Sequence, residues 1–221
     1  LDADSLLDHA TRALPSTMLG WHYRSRDELL IAFCNETFYE GRLLTAPSVQ
    51  GVPSLGEVPA HGVAEAEVGA RALLERSLSF HRLRGAVYAQ RCNAAEAEYI
   101  AAMVRTLLAD NTGLSLGIVA FSEAQQGEIE GALRRLADDD STFRARYEAE
   151  IEREDDGQFN GLFVKNLENV QGDERDIIIL SVCYAPGADG KMLMNFGPIN
   201  QRGGERRLNV IFSRARKHMA V

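Results

Sequence analysis

Two segments of this chain are apolar without alternation, Leu114-Ser-Leu-Gly-Ile-Val-Ala120 and Ile177-Ile-Ile-Leu-Ser-Val182. A strand with no polar face is buried on both sides, as in a parallel sheet covered by helices. Leu162–Val164 predicts another buried strand and Ala86–Tyr88 a short one. Helical patterns alternate with them. Residues 2–14 predict a short helix, and Arg26–Tyr39 a longer one with Leu29, Leu30, Phe33 and Phe38 near one face and Ser25 as its cap. Further helices are expected at about 64–79, from Ala94 to Leu108, and from a Ser122 cap to about Ala137. Leu19–Ser25 reads as strand or turn, and residues 41–62, rich in Gly, Pro and Ser, as loop. The acidic stretch 138–157 reads as a helix with a mobile end. Helix then apolar strand, repeated, predicts an α/β fold, a mostly parallel sheet with helices on both faces. Ligands in such sheets sit beyond the carboxyl ends of the strands, where the motifs below are expected to fall.

With 221 residues, 45% of them hydrophobic, the chain can form one large domain or two small ones. Nothing resembles a membrane span or a signal peptide. The start at Leu1 and the stop after Ala220-Val221 suggest a piece of a longer protein. Cys34, Cys92 and Cys183 form no Cys-x-x-Cys pair and the five histidines have no ligand spacing, so neither a metal site nor a disulfide framework is indicated. A reducing cytoplasm suits that usage.

The net charge of −8 argues against a globally basic nucleic-acid binder, but it is uneven. Residues 201–221 hold six Lys/Arg against one acidic residue, whereas residues 121–160 hold twelve acidic against five basic. The basic run is Gly204-Glu-Arg-Arg-Leu-Asn-Val-Ile-Phe-Ser-Arg-Ala-Arg-Lys217. Leu208, Val210, Ile211 and Phe212 can anchor it while Arg207, Arg214 and Arg216 project, Arg214 being read as exposed and dispensable to the fold. Guanidiniums held rigidly suit polyphosphate, because each offers a planar fork of donors and a permanent charge. Yet the chain has no Gly-x-x-x-x-Gly-Lys-Ser/Thr loop, and no apolar strand ends in Asp-Glu to hold magnesium. It has arginines and no phosphate cradle. The acidic clusters Asp138-Asp-Asp140 and Asp155-Asp156 lie in charge-rich, weakly apolar sequence and read as solvated, so a self-contained nuclease is rejected.

In order and spacing, four segments resemble motifs of superfamily 1 helicases, in the branch that includes the nonsense-mediated-decay helicase and large bacterial helicase-related proteins. Trp21-His-Tyr-Arg-Ser25 resembles motif IV, and Leu116-Gly-Ile-Val-Ala-Phe-Ser-Glu-Ala-Gln125 resembles motif IVa. Glu168-Asn-Val-Gln-Gly-Asp-Glu-Arg-Asp176 resembles motif V, and Arg206-Arg-Leu-Asn-Val-Ile-Phe-Ser-Arg-Ala-Arg216 resembles motif VI. The match covers about residues 15–46 and 86–221, with 47–85 as a loop-plus-helix insertion.

The resemblance implies the second RecA-like domain of an ATP-dependent motor, with ATP and Mg²⁺ bound mainly by a first RecA-like domain absent from this chain. It implies that Arg24 and Arg214 approach the γ-phosphate, that Glu174 accepts a ribose hydroxyl, that Gly172 allows close backbone approach, and that Gln171 lies near the phosphates as a coupling residue. Arg206, Arg207 and Arg216 are open between structural pairing and ligand contact. Single-stranded DNA or RNA would cross the opposite edge of the sheet. There Asn169 stands where the family usually has Ser or Thr against a backbone phosphate. Motif IVa reads Ala120-Phe121-Ser122 where Thr-Pro-Tyr is usual, so strand contact would pass to Ser122. Motif VI has Ser213 where Thr is usual. Tyr23, Phe121 and Tyr184 read as core rather than as base-stacking residues. Such a piece should fold alone, bind nucleotide poorly and hydrolyse nothing. A non-catalytic docking module for nucleic acid or protein is the competing reading, disfavoured because Arg24, Glu174 and Arg214 are all kept.

Overall fold

The computed structural model describes residues 6–47 and 57–221. Seven helices are described: α1 (Leu6–Ala13), α2 (Leu29–Tyr39), α3 (Ala66–Glu75), α4 (Ala94–Ala109), α5 (Glu123–Asp139), α6 (Ser141–Ile151) and α7 (Gly204–Phe212). The described strands are β1 (Glu57–Ala60), β2 (Leu78–Leu83), β3 (Leu116–Ala120), β4 (Glu154–Asp155), β5 (Gln158–Phe159), β6 (Phe163–Asn166), β7 (Arg175–Ser181) and β8 (Ala215–Ala220). Six of them form one sheet in the order β1-β2-β8-β7-β3-β6, every neighbouring pair parallel.

The two apolar runs become β3 and β7 at the centre, and their side chains feed two separate cores. Leu116, Ile118, Ile177 and Ile179 face one layer with α3, α4, α5 and α6. Val119, Ile178 and Leu180 face the other, with Leu30 of α2, Ile211 of α7 and the β6–β7 crossover residues Leu167 and Val170. Helices therefore cover both faces, as the helix-strand alternation predicts.

Ser122 caps α5 as expected, its hydroxyl accepting from the Gln125 amide at 3.1 Å. Ser25 does not cap α2; it is buried and donates to the Ala215 carbonyl at 3.1 Å, stitching the N-terminal segment to β8. The helix expected at 64–79 ends at Glu75, and the chain continues as β2, whereas 86–88 forms no strand. Residues expected to be loop at 57–60 form β1, so the described part of 47–85 extends the sheet by two strands. The expected acidic helix stops at Ile151 and gives way to the antiparallel β4–β5 hairpin, whose Asp156-Gly157 turn has φ of 53° and 74°. That is the turn chemistry Asp-Gly favours.

Gly204 opens α7 in close contact with the preceding turn: an added Cβ would lie 2.0 Å from the Ile199 carbonyl oxygen. Backbone, unlike a side-chain tip, cannot swing aside. Gly204→Ala is therefore expected to lower unfolding stability by about 3 kcal/mol, the upper range for overpacking, read by urea denaturation. Wild-type stability would show that the 199–204 backbone yields freely.

His81 of β2 bonds the Tyr99 hydroxyl of α4 through Nδ1 at 2.9 Å and Ser79 Oγ through Nε2 at 2.8 Å. Burial pushes its pKa down to about 4. Between its ordinary value near 6.5 and 4 the unfolded chain takes up a proton that the native protein refuses, so stability falls as pH falls. This one group should lower stability by about 2 kcal/mol between pH 7.5 and pH 5. Denaturation midpoints at the two pH values test this, and His81→Asn should flatten the difference.

Candidate functional site

Three segments far apart in the chain meet at the amino ends of β7 and β8, where Arg175 and Ala215 pair in register. The segment before α2 lies along β8, fixed by the Arg26 amide donating to the Arg216 carbonyl at 2.7 Å. That contact, with the Ser25 bond, delivers Arg24 to the cluster. Arg24 Nε donates to Glu174 Oε2, and its Nη1 to the Ser213 carbonyl at 3.2 Å. Arg216 donates to the other oxygen, Glu174 Oε1, through Nε at 3.1 Å and Nη2 at 2.6 Å. Burial pushes the Glu174 carboxyl up, but hydrogen bonds from Arg24 and then Arg216 outweigh it and hold the group below its usual range. Glu174 is thus anionic at neutral pH and clamped by two cations.

Arg214 completes the cluster from beneath. Only 9% exposed, it donates through Nε to the Val210 carbonyl at 2.6 Å and through Nη1 to the Asp173 carbonyl at 3.5 Å. Burial lowers its pKa, and the neighbouring Arg24 charge adds to that. The expectation of an exposed, structurally dispensable Arg214 is corrected here: it ties the last turn of α7 to the β6–β7 crossover. Among the described residues these bonds use Nε and Nη1 of both Arg24 and Arg214, leaving each Nη2 available.

Gln171 and Gly172 lie exposed on the crossover that leads to Glu174. Gly172 has φ +94° with open space around an ideal Cβ, so glycine is needed there for backbone conformation. The expectation that these motifs fall beyond the carboxyl ends of the strands does not hold for Arg24, Glu174 and Arg214, which sit at the amino ends. The reason is topological. The parallel crossover from β6 must return along the sheet before β7 begins, so Glu174 arrives at the opposite end from Asn169.

Asn169 and Ser122 do lie at carboxyl ends, after β6 and β3 respectively. Asn169 is exposed, and its amide donates to the Asn166 carbonyl at 3.1 Å. The Ser122 hydroxyl proton is committed to the Arg91 carbonyl at 3.1 Å. Phe121 is buried and Tyr184 packs on Tyr88 and Phe196, as core readings require. Tyr23 departs from that reading: it is 77% exposed beside Arg24, whose guanidinium lies 5.8 Å from its ring centre. Arg207 reaches Glu168 at 3.6 Å.

A buried polar network at the carboxyl end of β7 escaped the sequence reading. Ser181 Oγ donates to Glu96 Oε1 at 2.6 Å, and the Cys183 amide donates to the same oxygen at 3.1 Å. Gln125 Nε2 donates to Ser181 Oγ at 3.0 Å, joining α4 and α5 to the sheet end. Burial pushes the Glu96 carboxyl up, partly offset by these two hydrogen bonds. The Asn93 cap of α4, whose Oδ1 accepts from the Glu96 amide at 3.2 Å, was its one visible signal.

A parallel six-stranded sheet with helices on both faces is consistent with the RecA-like α/β fold. The chain belongs to the AAA domain family, whose model matches residues 3–221. Among curated proteins it is 32% identical over 207 residues to the uncharacterized ATP-dependent helicase MG140 of Mycoplasma genitalium, covering 93% of this chain and 16% of that protein. It is 31% identical over 206 residues, with the same coverage, to the homolog of that helicase in Mycoplasma pneumoniae. The chain thus spans about one sixth of the length of these relatives.

Proposed function

We propose that this chain is the second RecA-like domain of an ATP-dependent superfamily 1 helicase, supplying Arg24 and Arg214 to the γ-phosphate and part of the single-strand track. The observation that carries this reading is the convergence of Arg24, Glu174 and Arg214 at the amino ends of β7 and β8. A chain without a phosphate cradle has little other use for three guanidiniums around one carboxylate. The residues fit a phosphate chain: Nη2 of Arg24 and of Arg214 are available, and Gly172 leaves the crossover backbone open to close approach. Bound ATP supplies the reacting phosphoryl group, and Arg24 and Arg214 neutralise charge that builds on it, an effect worth roughly 10³–10⁵ in rate for an arginine finger.

Glu174 has two roles in this account. It holds Arg24 and Arg216 in place before nucleotide arrives; Oε1 is saturated by the two Arg216 donors, while Oε2, which accepts only from Arg24, keeps a lone pair for a ribose hydroxyl. Mg²⁺ is assigned in this reading to the first RecA-like domain. Asn169 and Ser122 mark the strand track at the far end of the sheet, with Asn169 the better placed because the Ser122 proton is already donated. No helix among the described residues is long and apolar enough to cross a membrane. The partners are the first RecA-like domain of the same protein and single-stranded DNA or RNA, in the cytoplasm. Strand-stimulated ATP turnover by the full-length protein tests the reading. Strand binding without turnover would favour the docking-module reading instead.

A further inference from the structure

Tyr23 and Arg24 sit in the middle of a turn that one side chain closes. His22 folds back over Ser25: the Ser25 amide donates to His22 Nε2 at 3.2 Å, and the Ser25 hydroxyl lies 2.9 Å from the same nitrogen. A ring nitrogen that accepts from an amide carries no proton, so His22 is neutral with its hydrogen on Nδ1. Burial lowers its pKa and the neighbouring Arg24 charge adds to that, which keeps the ring neutral at pH 7. The two ends of the turn are tied to different neighbours. The His22 amide donates to the Leu44 carbonyl at 2.9 Å, and buried Ser25 gives its hydroxyl proton to the Ala215 carbonyl at 3.1 Å.

Ala215 stands between Arg214 and Arg216 at the start of β8. Its carbonyl is therefore a fixed point on the segment that carries the other two guanidiniums of the cluster. On one side of Arg24 the chain is anchored there by Ser25, and by the Arg26 amide on the Arg216 carbonyl. On the other side only His22 closes the turn, by holding the Ser25 amide.

We propose, resting on the motor reading above, that His22 is a positioning residue. By holding Ser25 on the Ala215 carbonyl it sets Arg24 at a fixed distance from Arg214, so that both guanidiniums meet one phosphoryl group. Without that acceptor the half-buried Ser25 amide must find another partner, and the backbone at Arg24 turns with it. Misplacement of a reacting or charge-neutralising group by about 1 Å costs up to about 10²-fold in rate. The same displacement draws Arg24 away from Glu174 Oε2, to which its Nε now donates.

Two measurements test this, one of them independent of turnover. In the 221-residue chain, which carries its own core on both faces of the sheet, the Glu174 carboxyl is titrated by carbon NMR. Hydrogen bonds from Arg24 and Arg216 hold its midpoint down, so a displaced Arg24 should raise it, by about half a pH unit or more. His22→Leu is expected to do so. His22→Gln, whose side-chain carbonyl can accept from the Ser25 amide, should recover most of the wild-type midpoint. In the full-length protein His22→Leu should lower kcat by about 10- to 100-fold with KM for ATP little changed, again recovered by His22→Gln. Ser25→Ala removes the other half of the link and should move both readouts in the same direction, so the test stays decisive if His22→Leu does not fold. A Glu174 midpoint unmoved in His22→Leu and Ser25→Ala overturns the proposal, as does a shift that His22→Gln leaves in place. So does turnover kept by His22→Leu but lost in Arg24→Gln. If Arg24→Gln itself turns over normally the motor reading fails, and the Glu174 titration alone still decides whether His22 positions Arg24.

Discussion

Arg24→Gln in the full-length protein is expected to lower strand-stimulated ATP turnover by about 10³-fold, the low end for loss of an arginine finger, while this domain keeps its stability. The two effects separate because of how Arg24 is held. Its Nε engages Glu174, but Glu174 keeps Arg216 on its other oxygen, so the carboxylate is not stranded when Arg24 is lost. Gln places its amide nitrogen where Arg24 Nε lies, so it can still donate to Glu174 Oε2, while the bond from Nη1 to the Ser213 carbonyl is lost. The pair is largely buried, with side chains 19% and 28% exposed, but Glu174 stays paired with Arg216, so losing Arg24 is expected to lower stability by only about 1 kcal/mol. What Gln lacks is the charge and the second prong directed at the phosphoryl group. Turnover assays with saturating ATP, beside thermal melts of the same variant, separate loss of chemistry from loss of fold. Turnover within a few-fold of wild type would remove Arg24 from the site.

Arg214→Ala is expected to lose both. Turnover should fall by a factor similar to that for Arg24, and stability should also drop, by about 2 kcal/mol, from the lost buried packing and hydrogen bonds. The difference arises from depth. The Arg214 guanidinium is buried and bridges the Val210 and Asp173 carbonyls, so truncation opens a gap between the end of α7 and the crossover carrying Glu174. Val210 keeps a second donor, Ser213 Oγ at 2.9 Å, which limits the cost. Arg214→Lys retains the charge but not the fork, and should recover most of the stability with little of the turnover. If Arg214→Ala melted as wild type does, its buried bridging role would be wrong. If it turned over normally, its place at the γ-phosphate would be.

The central strands were legible because burial on both faces removes the polar alternation that most strands show. Ile177, Ile178, Ile179 and Leu180 supply two cores at once, and no helix was needed to explain the run. β8 lies deeper in the sheet order than β1 yet was not seen, because its first half is polar for local reasons. Arg216 pairs with Glu174, Lys217 reaches Asp176 at 3.3 Å, and His218 bonds the Arg76 carbonyl at 2.9 Å. Ala215, Met219 and Ala220 alone report the core, too few and too small to mark a strand. β2 was hidden in the same way, with His81 satisfied by Tyr99 and Ser79 rather than by water.

The site was legible as a set of residues and not as a place. Resemblance named Arg24, Glu174 and Arg214, but nothing in their spacing showed that the β6–β7 crossover would return them to the amino ends of the strands. Burial was harder still. Arg214 and Arg175 have the same composition signal as surface arginines, and their partners are carbonyl oxygens of residues that no pattern singles out.

The most direct test of the central claim is steady-state ATP turnover by the full-length protein, with and without single-stranded DNA or RNA, beside its Arg24→Gln variant. The account predicts turnover that rises with strand and nearly vanishes in the variant. Turnover that ignores the strand, or that survives in Arg24→Gln, would contradict it.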